Sequence, residues 1–417
     1  MKKFIIPLLL VSSILVSCNK NISENHEELY KSYIRNTDIN KENLIKNVIL
    51  FIGDGMGLNH IEAAEIYAER EMTFSNESDS SWTFHGYCNT DSLTSSGFKL
   101  DESKSLLDPA LNPSLYDDNP SPYGSGGAAS VTPYTDSAAA GTAIATGIKV
   151  TNSRLSKDVF GKNLTTLVEI AHGLNKKSGV ITTDTLAGAT PSAFLAHADE
   201  RHMTDEIIES ASNSPANLII AKTLSNWTTK YESMYKNNGF DNICYDEGSL
   251  NIDADKEVCL LPSILPLGDR TVSLADLTAY ALDKLDNDNG FFLMIEGANI
   301  DKQAHSNQPL ATINELLGMD EAVKTAQLWA DCREDTIIIV TADHETGALT
   351  FDENSTSNNI IENMRFLSYN HSRTRVSVDV YGDISDFTTK YKDKFETLEG
   401  KTCLDNTDIF KLCASYL

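Results

Sequence analysis

Three acidic motifs in this chain each follow an apolar run of strand length, and this pattern restricts the fold more than any other feature. Asn47 to Ile52 runs into Gly53-Asp54-Gly55-Met56-Gly57. Phe291 to Ile295 runs into Glu296-Gly297-Ala298 and on through Asn299-Ile300-Asp301-Lys302-Gln303-Ala304-His305. Thr336 to Val340 runs into Thr341-Ala342-Asp343-His344-Glu345. Continuous apolar runs of this length read as strands buried on both faces, as in parallel sheets. Open α/β sheets bind ligands beyond the carboxyl ends of their strands. The three motifs therefore converge on one sheet edge. A single Asp after a strand is ordinarily a turn residue, but three such motifs together need another explanation.

The rest of the chain fits that frame. Ser178 to Thr183 reads as a further buried strand, and Arg375 to Tyr381 alternates like an edge strand. Helical spacing covers Leu58 to Arg70, Ser137 to Gly147, Leu164 to Gly173, Leu274 to Leu285, Ile313 to Trp329 and Thr407 to Leu417, and Pro191 opens one more helix. Strands alternating with helices predict an α/β fold: three layers around a doubly wound, mostly parallel sheet. Residues about 74–134 are rich in Ser, Asn, Pro and Gly and read as a long surface loop, with an insertion at about 91–130. Residues about 203–270 are polar and mixed, and are expected to form a small inserted, crown-like subdomain. No internal repeat is visible.

The N-terminus has Lys2-Lys3 before an apolar run from Phe4 to Val16, too short for a comfortable membrane span. Leu15-Val16-Ser17-Cys18 closes it and resembles a bacterial lipobox. On that reading residues 1–17 are a lipoprotein signal peptide, Cys18 is lipidated, and residues 18–46 tether the domain of residues 47–417 to a membrane. The predicted location is exported and lipid-anchored, periplasmic or at the cell surface. The net charge of −26 argues against a nucleic-acid partner, because little would neutralise a phosphate backbone. An anionic substrate would need local positive charge, which metal ions and an Arg can supply. Cys244 with Cys259, and Cys403 with Cys413, are close enough for local disulfides, and free buried thiols are an equal reading.

The residue types in these motifs are those of a metal site and a nucleophile. Asp301 and His305 stand four apart, on one face if helical, and suit Zn²⁺. Asp343 and His344 fit a loop directing both at one ion, and His371 is the natural third ligand for the Asp301/His305 metal. Ser137 starts an Ala-rich helix, whose N-terminus favours a developing anion. A metal could activate it in place of a histidine base, there being no Gly-x-Ser-x-Gly elbow. The blander reading makes Asp136 or Ser137 an N-cap, and capping by Asp136 is compatible with attack by Ser137. Arg201 could hold two phosphate oxygens. Gly53 to Gly57 spells GxGxG rather than GxGxxG, with a carboxylate where a pyrophosphate would need room.

Taken in order, Gly53-Asp54-Gly55-Met56-Gly57, Thr135-Asp136-Ser137-Ala138-Ala139, Ala189-Thr190-Pro191, Glu296 to His305 and Thr341-Ala342-Asp343-His344 resemble the alkaline phosphatases over residues 47–417. The resemblance implies hydrolysis of phosphate monoesters to an alcohol and inorganic phosphate, through a phosphoserine, at two Zn²⁺ and one Mg²⁺. By matching positions Ser137 would be the nucleophile. Asp54, Asp343 and His344 would hold the zinc that activates it. Asp301, His305 and His371 would hold the second zinc, and Asp54, Thr190 and Glu296 the magnesium. Arg201 would clamp phosphate, and Lys302 would stand near it through water. Relatives are often dimers, so a homodimer is among the partners implied. Two features depart from the pattern. Gly188 stands where many relatives carry Asp or His, and the insertion before Ser137 looks long enough to border the site and shape leaving-group access. The alternatives are a related phosphodiesterase and a lipid-anchored phosphate-binding protein. A sulfatase is disfavoured by Ala138-Ala139-Ala140 after Ser137.

Overall fold

The computed structural model describes residues 45–116, 132–264 and 272–417. The expected signal peptide, Cys18 and nearly all of the tether lie outside these residues. Among the described residues, no helix is long and apolar enough to cross a membrane.

The strands are β1 (Asn47–Gly53), β2 (Trp82–Asn89), β3 (Lys177–Thr185), β4 (Leu218–Lys222), β5 (Asn242–Cys244), β6 (Glu257–Leu261), β7 (Phe291–Gly297), β8 (Thr336–Thr341), β9 (Glu345–Thr346), β10 (Leu349–Thr350), β11 (Arg365–Phe366), β12 (His371–Ser372), β13 (Val376–Tyr381), β14 (Glu396–Leu398) and β15 (Lys401–Asp405). Eleven of them form one sheet in the order β14-β15-β2-β13-β8-β1-β7-β3-β4-β6-β5. From β8 to β5 every neighbouring pair is parallel. The expected α/β fold with a mostly parallel sheet is what forms. The reason is composition: β1, β7 and β8 are buried along their whole length, so helices must cover both faces.

Four expectations change. Val376–Tyr381 is not an edge strand; it lies between β8 and β2, antiparallel to both. Its alternation misled because Ser377 and Asp379 are themselves buried. The loop expected over about 74–134 contains β2, another interior strand. The described part of the segment expected as a subdomain, residues 203–264, supplies β4, β5 and β6, which extend the main sheet at one edge. The helix expected from Pro191 begins at Ala189, so Pro191 is its third residue, where a backbone N–H would still lack a helical acceptor.

Cys244 and Cys259, paired across β5 and β6, form a disulfide. Cys403 and Cys413 do not. Both are buried free thiols, one on β15 and the other on the inward face of the helix Asn406–Tyr416.

Candidate active site and metal centre

The parallel strands deliver the acidic motifs to one edge. Ile52 is in register with Glu296 on one side and Thr341 on the other, so Asp54 and Asp343 emerge together. Gly55 then turns with φ +74°, and a Cβ there would lie 2.8 Å from Thr346 Oγ1 and 2.9 Å from Asp301 Cα. Only glycine lets the backbone pass that close. The turn is fixed when Gly55 N–H donates to Asp343 Oδ1 at 3.2 Å.

Ser137 is the first residue of the buried helix Ser137–Thr146, and the Asp136 carboxylate caps that helix by accepting from Ala139 N–H at 3.0 Å. Ser137 Oγ stands 3.2 Å from His344 Nε2. The same Nε2 is 3.3 Å from Asp343 and 3.6 Å from Asp54. Asp54, Asp343 and His344 therefore form one donor cluster beside the Ser137 hydroxyl.

A second cluster adjoins it. The helix Asn299–His305 places Asp301 and His305 on one face, as their spacing predicted, with His305 Nε2 3.2 Å from Asp301 Oδ1. β12 pairs with β9 so that His371 is in register with Thr346. That brings His371 Nε2 to 3.1 Å from His305 Nε2 and 3.6 Å from Asp301 Oδ1. His344 stacks on His371 with ring centroids 3.5 Å apart, so it borders both clusters.

The remaining ring nitrogens say which atoms are free to bind. His371 Nδ1 donates to the Thr135 carbonyl at 2.7 Å, and His305 Nδ1 to the Tyr369 carbonyl at 2.5 Å. Carbonyls only accept, so both Nδ1 atoms carry hydrogen, which leaves Nε2 of each ring as the atom that could bind a metal. Burial holds His371 neutral, pushing its pKa down to about 4. His305 Nε2, His371 Nε2 and Asp301 Oδ1 all lie within 4 Å of one another, close enough to share one cation. Imidazole and carboxylate donors suit zinc. Thr346 organises both clusters: its hydroxyl donates to Asp301 Oδ1 at 2.5 Å and lies 3.3 Å from His344 Nδ1.

Three buried oxygen donors are candidates for a separate ion. Thr190 Oγ1 and Asp54 Oδ1 are buried and have no hydrogen-bond partner among the described residues. Glu296 accepts from the Thr182 hydroxyl. Such oxygens fit a hard cation such as Mg²⁺.

Electrostatics point the same way. Burial, then the charges of Asp343, Asp301 and Glu296, push Asp54 well above the usual carboxylate range. Burial and Asp301 push Asp343 up to about 7, and burial and Asp184 push Glu296 up to about 8. Burial would raise Asp301 too, but His305, His371, the Thr346 hydroxyl and Arg201 hold it below its ordinary value. Cations would relieve the mutual repulsion of these acids.

Arg201 Nη1 donates to Asp136 Oδ2 at 3.2 Å, and Arg201 N–H donates to the Ser153 carbonyl at 2.7 Å. The capping residue of the Ser137 helix thus also holds the arginine. Lys302 Nζ is drawn to Asp184 Oδ1 at 2.5 Å. Asp136 as an Arg201 partner, Thr182, Asp184 and Thr346 were not singled out from sequence, because each acts through another residue.

The described part of the expected insertion borders this site. Tyr116 bridges to Ser372, Arg373 N–H donates to the Leu115 carbonyl, and the Arg373 guanidinium grips the Asp91 carboxylate at 2.7 and 2.8 Å. The loop is fastened to the strand carrying His371.

The sequence profile of the family described as alkaline phosphatase matches residues 124–231 and 254–407. The chain belongs to the alkaline phosphatase family. It is 30% identical over 361 residues to alkaline phosphatase of Escherichia coli, across 72% of this chain and 70% of that protein. It is 30% identical over 330 residues to alkaline phosphatase 4 of Bacillus subtilis, across 75% of this chain and 64% of that relative's length. Among solved structures, alkaline phosphatase from the Antarctic bacterium TAB5 superposes with a TM-score of 0.67 at 25% identity, covering 89% of this chain and 98% of that one. A variant of that enzyme was solved with magnesium bound.

Proposed function

We propose that this protein hydrolyses phosphate monoesters, with Ser137 carrying the phosphoryl group between two in-line displacements. The observation that carries this reading is the Ser137 hydroxyl at a helix start, 3.2 Å from His344 Nε2, with Arg201 held by the same capping residue. Asp54, Asp343 and His344 would hold one zinc; Asp301, His305 and His371 a second; Asp54, Thr190 and Glu296 a magnesium. When bound, such cations lower the pKa of a hydroxyl or water and neutralise charge that develops on the departing oxygen.

The chain's own groups do the rest. Ser137 Oγ loses its proton and attacks phosphorus; the Oγ–P bond forms as the bond to the alcohol oxygen breaks, and the alcohol leaves with a proton from solvent. Water then cleaves Oγ–P, releasing inorganic phosphate and returning the proton to Ser137. Arg201, aimed by Asp136, donates two N–H groups to the oxygens that do not transfer. The first N–H groups of the Ser137 helix add positive potential. Two inversions leave the configuration at phosphorus unchanged.

The test is turnover of p-nitrophenyl phosphate and bis-p-nitrophenyl phosphate, before chelation, after it, and after zinc and magnesium are restored. The expected result is a strong preference for the monoester, loss on chelation and recovery on reloading. Equal or faster diester cleavage points to a phosphodiesterase. Phosphate binding without turnover points to a binding protein.

We also propose export and a lipid anchor at Cys18, on the strength of Leu15-Val16-Ser17-Cys18. Cys18→Ala is expected to move the protein from the membrane to the soluble fraction; unchanged fractionation sinks the anchor.

A further inference from the structure

Gly188 precedes the helix carrying Thr190, and nothing in its backbone demands glycine: φ is −56° and ψ 149°. The obstacle to a side chain is Asp184. A Cβ built at 188 would lie 2.7 Å from Asp184 Oδ2, 2.9 Å from its Cγ and 3.0 Å from its Cβ. The Asp184 carboxylate therefore occupies the volume that a side chain at 188 would take.

Its bonds lead into the site. Asp184 Oδ1 accepts from Lys302 Nζ at 2.5 Å and from Thr185 N–H at 2.7 Å. The Asp184 N–H donates to Thr182 Oγ1 at 2.8 Å, and that hydroxyl donates to Glu296. Lys302 directly follows Asp301 on its helix. The Asp184 carboxylate thus fixes the lysine, while its backbone amide, which any residue at 184 would supply, supports the Thr182–Glu296 pair.

We infer that Asp184 is a positioning residue for the proposed reaction, supplying from position 184 the carboxylate that position 188 lacks and holding Lys302 in place. This rests on the phosphomonoesterase reading. It makes 184 and 188 reciprocal: one carboxylate fits in this space, and two do not.

The experiment uses the zinc-loaded protein, titrated with magnesium by calorimetry and then assayed with magnesium in excess. It reads the magnesium concentration needed for half-saturation and the inhibition constant of inorganic phosphate. Asp184→Ala is expected to weaken both by ~10-fold or more, the range for partners of metal ligands. Asp184→Asn keeps the shape and should do the same, which separates charge from folding. Gly188→Asp alone should weaken both, because it meets Asp184. Asp184→Ala with Gly188→Asp should return both to within ~3-fold of the parent, and Asp184→Ala with Gly188→Ala should not.

The inference is overturned if Asp184→Ala and Asp184→Asn both stay within ~2-fold of the parent, or if Gly188→Ala rescues as well as Gly188→Asp. A parent that turns over p-nitrophenyl phosphate while its variants bind like the parent removes this inference alone. A parent without turnover removes the functional reading instead.

Discussion

Ser137→Ala is expected to slow p-nitrophenyl phosphate turnover on the order of 10⁴-fold or more, while zinc and magnesium content stay at the parent's level. The loss is large because one oxygen atom is the acceptor in the first displacement and the leaving group in the second. Without it only direct attack by water remains, still helped by the cations and Arg201. The fold has no reason to suffer. The helix is capped by Asp136, not by Ser137, and alanine is the best helix former. The Ser137 hydroxyl stands 3.2 Å from His344 Nε2, but the variant keeps every carboxylate and imidazole donor of both clusters. Metal content by elemental analysis, alongside single-turnover kinetics, separates the cases. A variant that turns over within ~10-fold of the parent cannot have lost its nucleophile. A variant that also loses zinc would show that Ser137 supports the metal cluster.

What could be read from sequence depended on how local the signal was. β1, β3, β7 and β8 announced themselves, because a strand buried on both faces must be apolar throughout. Their carboxyl ends fixed Asp54, Glu296, Asp343 and His344, and helical spacing fixed Asp301 with His305. β2 was missed inside a polar stretch, since its pattern WTFHGYCN includes a glycine and a histidine and its partners β13 and β15 lie almost 300 residues away or more in sequence. His371 was named, but by elimination and resemblance. What delivers it is the pairing of the two-residue strands β12 and β9, too short to leave a periodic trace. Asp184 and Thr346 were invisible for a different reason: each acts through a neighbour, and neighbours across a fold are not encoded in spacing. Nearness in sequence left Cys403 and Cys413 open between a bond and free thiols, and the fold makes them free.

The second large effect concerns the protein stripped of its cations. In that state raising the pH from 6.5 to 8 is expected to lower the melting temperature, whereas the zinc- and magnesium-loaded protein should change little. The sign follows from linkage. Burial and mutual repulsion hold Glu296 at about 8 and Asp343 at about 7 in the folded chain, and Asp54 well above the carboxylate range. Their unfolded values are near 4. A carboxyl raised on folding keeps its proton after the unfolded chain has lost it, so stability falls as pH climbs from the unfolded value to the folded one and levels off beyond it. His85, raised by its hydrogen bond to Asp379, and His197, raised against its burial by Glu169, act in the same sense as the acids, but they do so with or without cations, so the difference between chelated and loaded protein isolates the acids. His60 and His371, lowered by burial to about 4, are neutral in the folded state throughout, and unfolded histidine has lost most of its proton above about 6.5. Lys176, lowered to about 8, acts in the opposite sense only from there upward. Glu345, at about 7, adds to the trend. Each tenfold change in proton affinity on folding is worth about 1.4 kcal/mol. Several such groups together amount to a sizeable part of a domain's net stability of roughly 5–15 kcal/mol. Cations bind the ionised carboxylates and turn the same repulsion into attraction, so the stabilisation they confer should widen with pH. Calorimetry of chelated and reloaded protein at pH 6.5, 7.2 and 8.0 measures it. A chelated protein whose melting point holds or rises across that range would mean these acids do not crowd one another, and the case for a cation cluster drawn from their repulsion would fail.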